Sequence, residues 1–92
     1  MSEQLETGLW KAQCEWHLRR RTLLTKNDAD ISEEEMERAI QAGLSPLEFV
    51  REFIEDRDLD DCVERPEVGP SSAYWREWER QNPLPSLHPA GN

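Results

Sequence analysis

The sequence predicts an all-α protein: a small helical domain in which a long N-terminal helix packs on an αα-hairpin, then a short C-terminal aromatic helix and an extended tail. Three observations carry this reading. Residues 31–56 hold two consecutive segments that each combine a cap, a helical apolar period and a stop signal. Residues 2–25 place apolar side chains at helical spacing on two sides. Residues 72–82 gather half of the tryptophans in one short amphipathic stretch that Pro83 closes.

The first helix is expected over 2–25, with Ser2 as its cap. On a 3.6-residue period Leu5, Leu9, Ala12, Trp16 and Leu23 share one face, and Trp10, Cys14, Leu18 and Leu24 lie roughly opposite. A helix apolar on two sides sits between neighbours or meets a second chain. The hairpin covers one side, and the aromatic segment or a partner subunit covers the other. Gly8 weakens the first turns. Arg19, Arg20 and Arg21 end this helix, where cations suit the helix dipole. They also read as a small basic patch, or as internal partners of the acidic helices, in which case each surface pair is worth little.

Residues 25–30 (TKNDAD) form a polar connection. Asp28, Asp30 and Ser32 mimic the first ligands of a calcium loop, but Glu33 and Ala39 stand where that loop needs Gly and Glu, which excludes the site. Ser32 then caps a helix, with Glu35 three residues on as a capping box and Ile31 and Met36 as a hydrophobic staple. Glu33, Glu34 and Glu35 complement the dipole, and Met36, Ala39 and Ile40 face the core. Gly43 stops this helix in a left-handed conformation. Ser45 caps the next one, with Pro46 at its first position. Leu47, Val50, Phe53 and Ile54 form its apolar stripe, with Phe49 at the edge and Arg51, Glu52 and Glu55 outside.

The second hairpin helix is expected to run into 56–67 and stop before Pro66, with Leu59, Cys62 and Val63 packing at i, i+3, i+4. The helical domain thus spans 1–65. Pro66, Gly69 and Pro70 mark 66–71 as a linker. Ser72 caps the aromatic helix of 72–82, where Tyr74, Trp75 and Trp78 cluster and Arg76, Glu77, Glu79 and Arg80 cover the other sides. A helix this short is marginal alone, so it docks either on its own hairpin or on a partner. Residues 83–92 form an extended or disordered tail, whose prolines lack the P-x-x-P register.

Ninety-two residues allow one domain with a modest core. The net charge of −9 is uneven: residues 1–26 carry five basic and three acidic side chains, 27–67 four and fifteen, and 68–92 two and two. An acidic surface repels phosphate backbones and suits basic proteins, although it also simply keeps a small protein soluble. No apolar run approaches a membrane span and residues 1–6 do not resemble a signal peptide, so a cytoplasmic location is expected. In that compartment Cys14 and Cys62 are expected as free thiols.

Chemistry is sparse. The chain has no Gly-rich phosphate loop, G-x-S-x-G or H-E-x-x-H motif. Cys14 and His17, with Cys62 and His88, make a poor zinc set, and Cys14–His17 a poor nucleophile–base pair. No metal or cofactor is expected. Ala39, Gly43 and Phe49 have helix-turn-helix spacing, but the second helix shows mainly carboxylates, and Arg38 and Glu52 fall where that motif wants apolar residues.

The leading expectation is a non-enzymatic regulator or inhibitor that binds a basic, nucleic-acid-binding surface of another protein. Its contact residues would be Tyr74, Trp75 and Trp78 with Glu48, Glu52, Glu55, Asp56, Asp58, Asp60 and Asp61. The alternatives are a DNA-binding regulator that uses the 32–56 helical pair as a helix-turn-helix with Arg19, Arg20 and Arg21 on phosphates, and a self-associating structural subunit that forms a homodimer through the first helix.

Overall fold

The computed structural model describes residues 7–85; Ser2, Leu5 and His88 lie outside this range. Among the described residues there are five α-helices: α1 (Thr7–Thr22), α2 (Lys26–Ala29), α3 (Glu33–Gln41), α4 (Pro46–Arg57) and α5 (Ser72–Gln81). A single 3-10 turn occupies Pro66–Val68, and no strand occurs among these residues. The all-α expectation holds, with α1 packed on the α3–α4 pair.

One face of α1 supplies the centre of the core. Trp10, Cys14 and Leu18, at i, i+4, i+8, are buried with Met36 and Ala39 of α3 and Val50, Phe53 and Ile54 of α4. Leu18, Met36, Val50 and Cys14 are the largest fully buried side chains. Burying an aliphatic side chain of this size contributes about 1.5–3 kcal/mol. Trp10 adds a polar tie, since its indole N–H donates to the Leu44 carbonyl at 3.0 Å in the α3–α4 turn. Its ring also packs on Phe49 with centroids 5.6 Å apart.

The caps explain where the helices start. Ser45 and Glu48 form a full capping box. The expected box at Ser32 and Glu35 forms only by half: the Ser32 hydroxyl accepts the Glu35 N–H, but the Glu35 carboxylate turns to Arg57 of α4 at 3.6 Å. The stretch expected as a polar connection is α2, opened by a capping box between Thr25 and Asp28. The first helix ends at Thr22 instead of 25 because Leu23 adopts a left-handed conformation (φ 67°) and the Thr22 hydroxyl accepts the Leu24 N–H.

Helices α2, α3 and α4 close in the same way, on a left-handed residue: Asp30, Gly43 and Asp58. In each, the N–H of that residue and the N–H of the one after it fold back on the last turn, as Gly43 does to the Ile40 carbonyl and Leu44 to that of Ala39. Asp58 therefore ends α4 at Arg57, and the helix does not continue toward Pro66. Cys62 is buried in a turn beyond it, whereas Val63, expected to pack, is exposed. The expected linker 66–71 is partly structured and packed. It contains the 3-10 turn, and a Cβ at Gly69 would meet the Cys62 sulfur at 2.5 Å.

A buried ion pair fixes the junction between the two halves. Arg21 donates to Asp61 at 2.6 Å, with side-chain exposure of 11% for both. The other Asp61 oxygen accepts the Val63 and Glu64 N–H groups, and the Cys62 N–H donates to the Arg21 carbonyl at 2.7 Å.

Two changes test this description. Asp61→Ala is expected to lower the unfolding free energy by about 3 kcal/mol, because it strands the buried Arg21 charge. Asp60→Ala, at an exposed carboxylate, should shift it by under about 0.5 kcal/mol. Equal effects in urea denaturation would remove the pair from its central place. Asp58→Gly should stabilise by about 0.5–1 kcal/mol, since glycine enters the left-handed region without the Cβ clash; a loss of stability in the same assay would contradict the closure described for α4.

Candidate functional site

The outer face of α4 is set by the inner one. With Val50, Phe53 and Ile54 committed to the core, Glu48, Glu52 and Glu55 fall together on the exposed side at i, i+4, i+7. The turn at 61–64 stands across from them. Between the two runs a groove of about 390 Å³ lined by Glu48, Arg51, Glu52, Ile54, Glu55, Asp61 and Glu64. Asp56 lies on a different flank, in a second groove of about 440 Å³ between α3 and α4 whose floor includes Ala39, Leu44, Phe49 and Phe53.

The electrostatics separate these carboxylates from the rest. Three of the four carboxylates of α3 are paired: Glu33 meets Lys11 and Lys26, Glu37 meets Lys11, and Glu35 meets Arg57, while Glu34 makes no ion pair among the described residues. Hydrogen bonds from Lys11 and then Lys26 hold the Glu33 carboxyl below its usual range, and the bond to Glu33 raises Lys11. By contrast Glu48, Glu52, Glu55, Asp56, Asp58 and Glu64 have no cationic partner among the described residues. Arg51 is the one cation lining the first groove.

Two acidic residues named from the sequence do not belong to this free surface. Asp61 is buried in its pair with Arg21, so it supports the groove wall and is not available to a partner. Asp60 is exposed but sits 3.5 Å from Arg65.

The aromatic residues are also placed differently from one another. Trp75 is only 7% exposed. Arg20 lies over its ring at 4.2 Å, and Trp78 meets it edge-on at 5.4 Å. Trp78 is half-buried against Trp16 at 5.5 Å, with Arg19 over its ring at 5.5 Å. Trp75 and Trp78 are thus largely consumed in covering the second side of α1, and Tyr74 alone of the three is exposed. The physical reason is that Trp16 and the stems of Arg19 and Arg20 leave an uncovered apolar strip that an indole fills well.

The three arginines consequently have three fates. Arg21 is in the buried pair, Arg20 donates to Glu79 at 2.6 Å, and Arg19 rests on Trp78. They do not form an open basic patch.

The groups with chemical potential are held inert. Burial pushes the Cys14 thiol up to about 12 and also raises Cys62. Both are free and buried. His17, edge-on to Trp16 at 5.1 Å, is pushed down by burial and then by the Arg21 charge. No three His, Cys, Asp or Glu residues converge to hold a metal ion among the described residues, and none of their helices is long and apolar enough to cross a membrane.

Comparison with protein-family models, with curated proteins and with solved structures found no match to this chain.

A thiol reagent checks the burial of the sulfur atoms. At mildly alkaline pH iodoacetamide should leave both cysteines of the native protein essentially unmodified and alkylate both in denaturant, because the thiolate is the reactive form. Fast native modification of Cys14, read by mass spectrometry, would contradict its place in the core.

Proposed function

We propose that the protein is a non-enzymatic regulator that binds a basic surface of another protein through the outer face of α4 and the turn at 61–64. The observation that carries this reading is the segregation of charge. Lys11, Lys26, Arg20, Arg21 and Arg57 are drawn into pairs elsewhere, and Glu48, Glu52, Glu55 and Glu64 are left around one groove with Arg51 as its one cation, so negative charge is in excess there. A partner that brings arginines or lysines supplies the missing cations. Such a surface steers a basic partner during encounter and repels nucleic acid. In its sharpest form the carboxylates stand in for phosphates, so the protein occupies a nucleic-acid-binding cleft of its partner and blocks it.

Neither groove of α4 is lined by a thiol or an imidazole, and both present carboxylates, which suits contact with a cationic surface. The alternative reading as a direct DNA binder has less support. Arg19, Arg20 and Arg21 are engaged internally, and the would-be recognition helix shows Glu48, Glu52 and Glu55. A groove-reading helix needs donors there.

The test neutralises the face without disturbing the fold. Glu48→Gln, Glu52→Gln, Glu55→Gln and Glu64→Gln are combined in the full chain; glutamine at 48 keeps the capping bond to Ser45. Immobilised wild type should capture a basic protein from its host at about 50 mM salt and release it near about 500 mM, where charges are screened within a few ångströms. The captured protein should lose its hold on duplex DNA when wild type is added, and the Gln variant should neither capture nor compete. Capture that survives both high salt and the four substitutions would defeat the proposal.

A further inference from the structure

The outer face of α1 has the chemistry of a peptide-recognition surface, and the chain fills it with its own C-terminal segment. Gln13, Trp16 and Arg20 stand at i, i+3, i+7 and present three donors in a row. The Gln13 amide donates to the Pro85 carbonyl at 2.6 Å, the Trp16 indole to the Asn82 carbonyl at 2.5 Å, and Arg20 Nε to the Glu79 carboxylate at 2.6 Å. Acceptors spaced by three therefore run antiparallel to α1. Two of the three are backbone carbonyls, which any helix-then-extended segment can offer. Side-chain identity is read by the rings: Arg20 over Trp75 and Trp16 against Trp78.

The attachment centres on Trp75, and the tether that leads to it is held by local contacts, with Gly69 close to Cys62. Of the ten residues of α5, Trp75 alone is buried. The chain is pinned to α1 at Cys62, through the Arg21 carbonyl. Between that pin and α5, the backbone hydrogen bonds of residues 63–70 are local ones, from Arg65 to Asp61, Val68 to Arg65 and Gly69 to Pro66. Lifting α5 therefore breaks no ladder, and Pro66 and Pro70 keep the tether from joining a helix.

We propose that this face of α1 is a docking site for a helix followed by an extended proline-bearing segment, filled within one molecule by residues 72–85 and, in trans, by the same segment of a second copy. The exchange needs no contact absent from the monomer, which is the usual origin of swapped dimers. It is independent of the acidic face of α4.

The experiment uses the full chain with Trp75→Ala and Trp78→Ala, which removes the indoles that hold the chain's own segment and so weakens its competition for the site, and a fluorescent synthetic peptide of residues 71–85 as probe. Saturable binding in the micromolar range is expected, read by anisotropy. Wild type should bind the probe at least about tenfold more weakly, because its own segment competes at an effective concentration on the order of 1 mM. Adding Gln13→Ala and Arg20→Ala to the double variant should abolish binding. No binding to a double variant that retains its helical circular dichroism would overturn the proposal. Should that variant unfold, wild type decides: two separately labelled populations mixed at high concentration should develop energy transfer that disappears on dilution, and its absence after prolonged mixing would overturn the proposal equally. Energy transfer that survives replacement of Gln13 and Arg20 by alanine would place any dimer elsewhere and reject the assignment.

Discussion

The constraint on which this structure depends is that α1 must be covered on two sides by a chain with few apolar residues to spare. The Trp10–Cys14–Leu18 side takes the best packing the molecule has, from α3 and α4. What remains for the other side is a mixture of ring, guanidinium and backbone carbonyl around Trp16, Arg19 and Arg20. An apolar face of that kind would need an apolar lid. An amphipathic face accepts a lid made of tryptophans and glutamate, which is the composition of α5.

The junction between the two sides is the Arg21–Asp61 pair. A buried pair of this kind is weak evidence for net stability, because desolvation opposes the attraction. Its value here is positional. Arg21 sits at the end of the inner face of α1, and Asp61 organises the turn that carries the chain from α4 back across α1. The pair thus decides that the segment after Asp58 returns to α1, and with it that the 61–64 turn stands opposite the carboxylates of α4.

The parts of the fold legible in the sequence were those fixed by neighbours in the chain. Ser45, Pro46 and Gly43 act within one turn of themselves, and the boundaries they imply for α3 and α4 are the observed ones. Helix α2 is not legible because its cap, Thr25 with Asp28, lies in a four-residue stretch with no apolar period. The half-formed box at Ser32 failed for a tertiary reason: Arg57, remote in sequence, competes for the Glu35 carboxylate. The three adjacent arginines show the same limit. About 100° of rotation per residue separates a buried ion pair from a stacked surface cation, and which one faces inward depends on where Asp61 arrives. The acidic face of α4 was legible from spacing, but the loss of Asp61 and Trp75 from the contact set required knowing what the chain folds back upon.

The unpaired carboxylates of α4 also have a thermodynamic consequence. Glu48 and Glu52 are four residues apart and Glu52 and Glu55 three, spacings at which like charges weaken a helix. The native state therefore carries self-repulsion along the helix that forms the core with α1. A cationic partner that settles on this face removes that repulsion as it binds, so binding and folding are linked: the partner acts as a ligand of the folded state and draws the population toward it. Glu48 offsets part of that cost by capping α4 at Ser45, which leaves Glu52 and Glu55 as the carboxylates whose repulsion a partner would relieve.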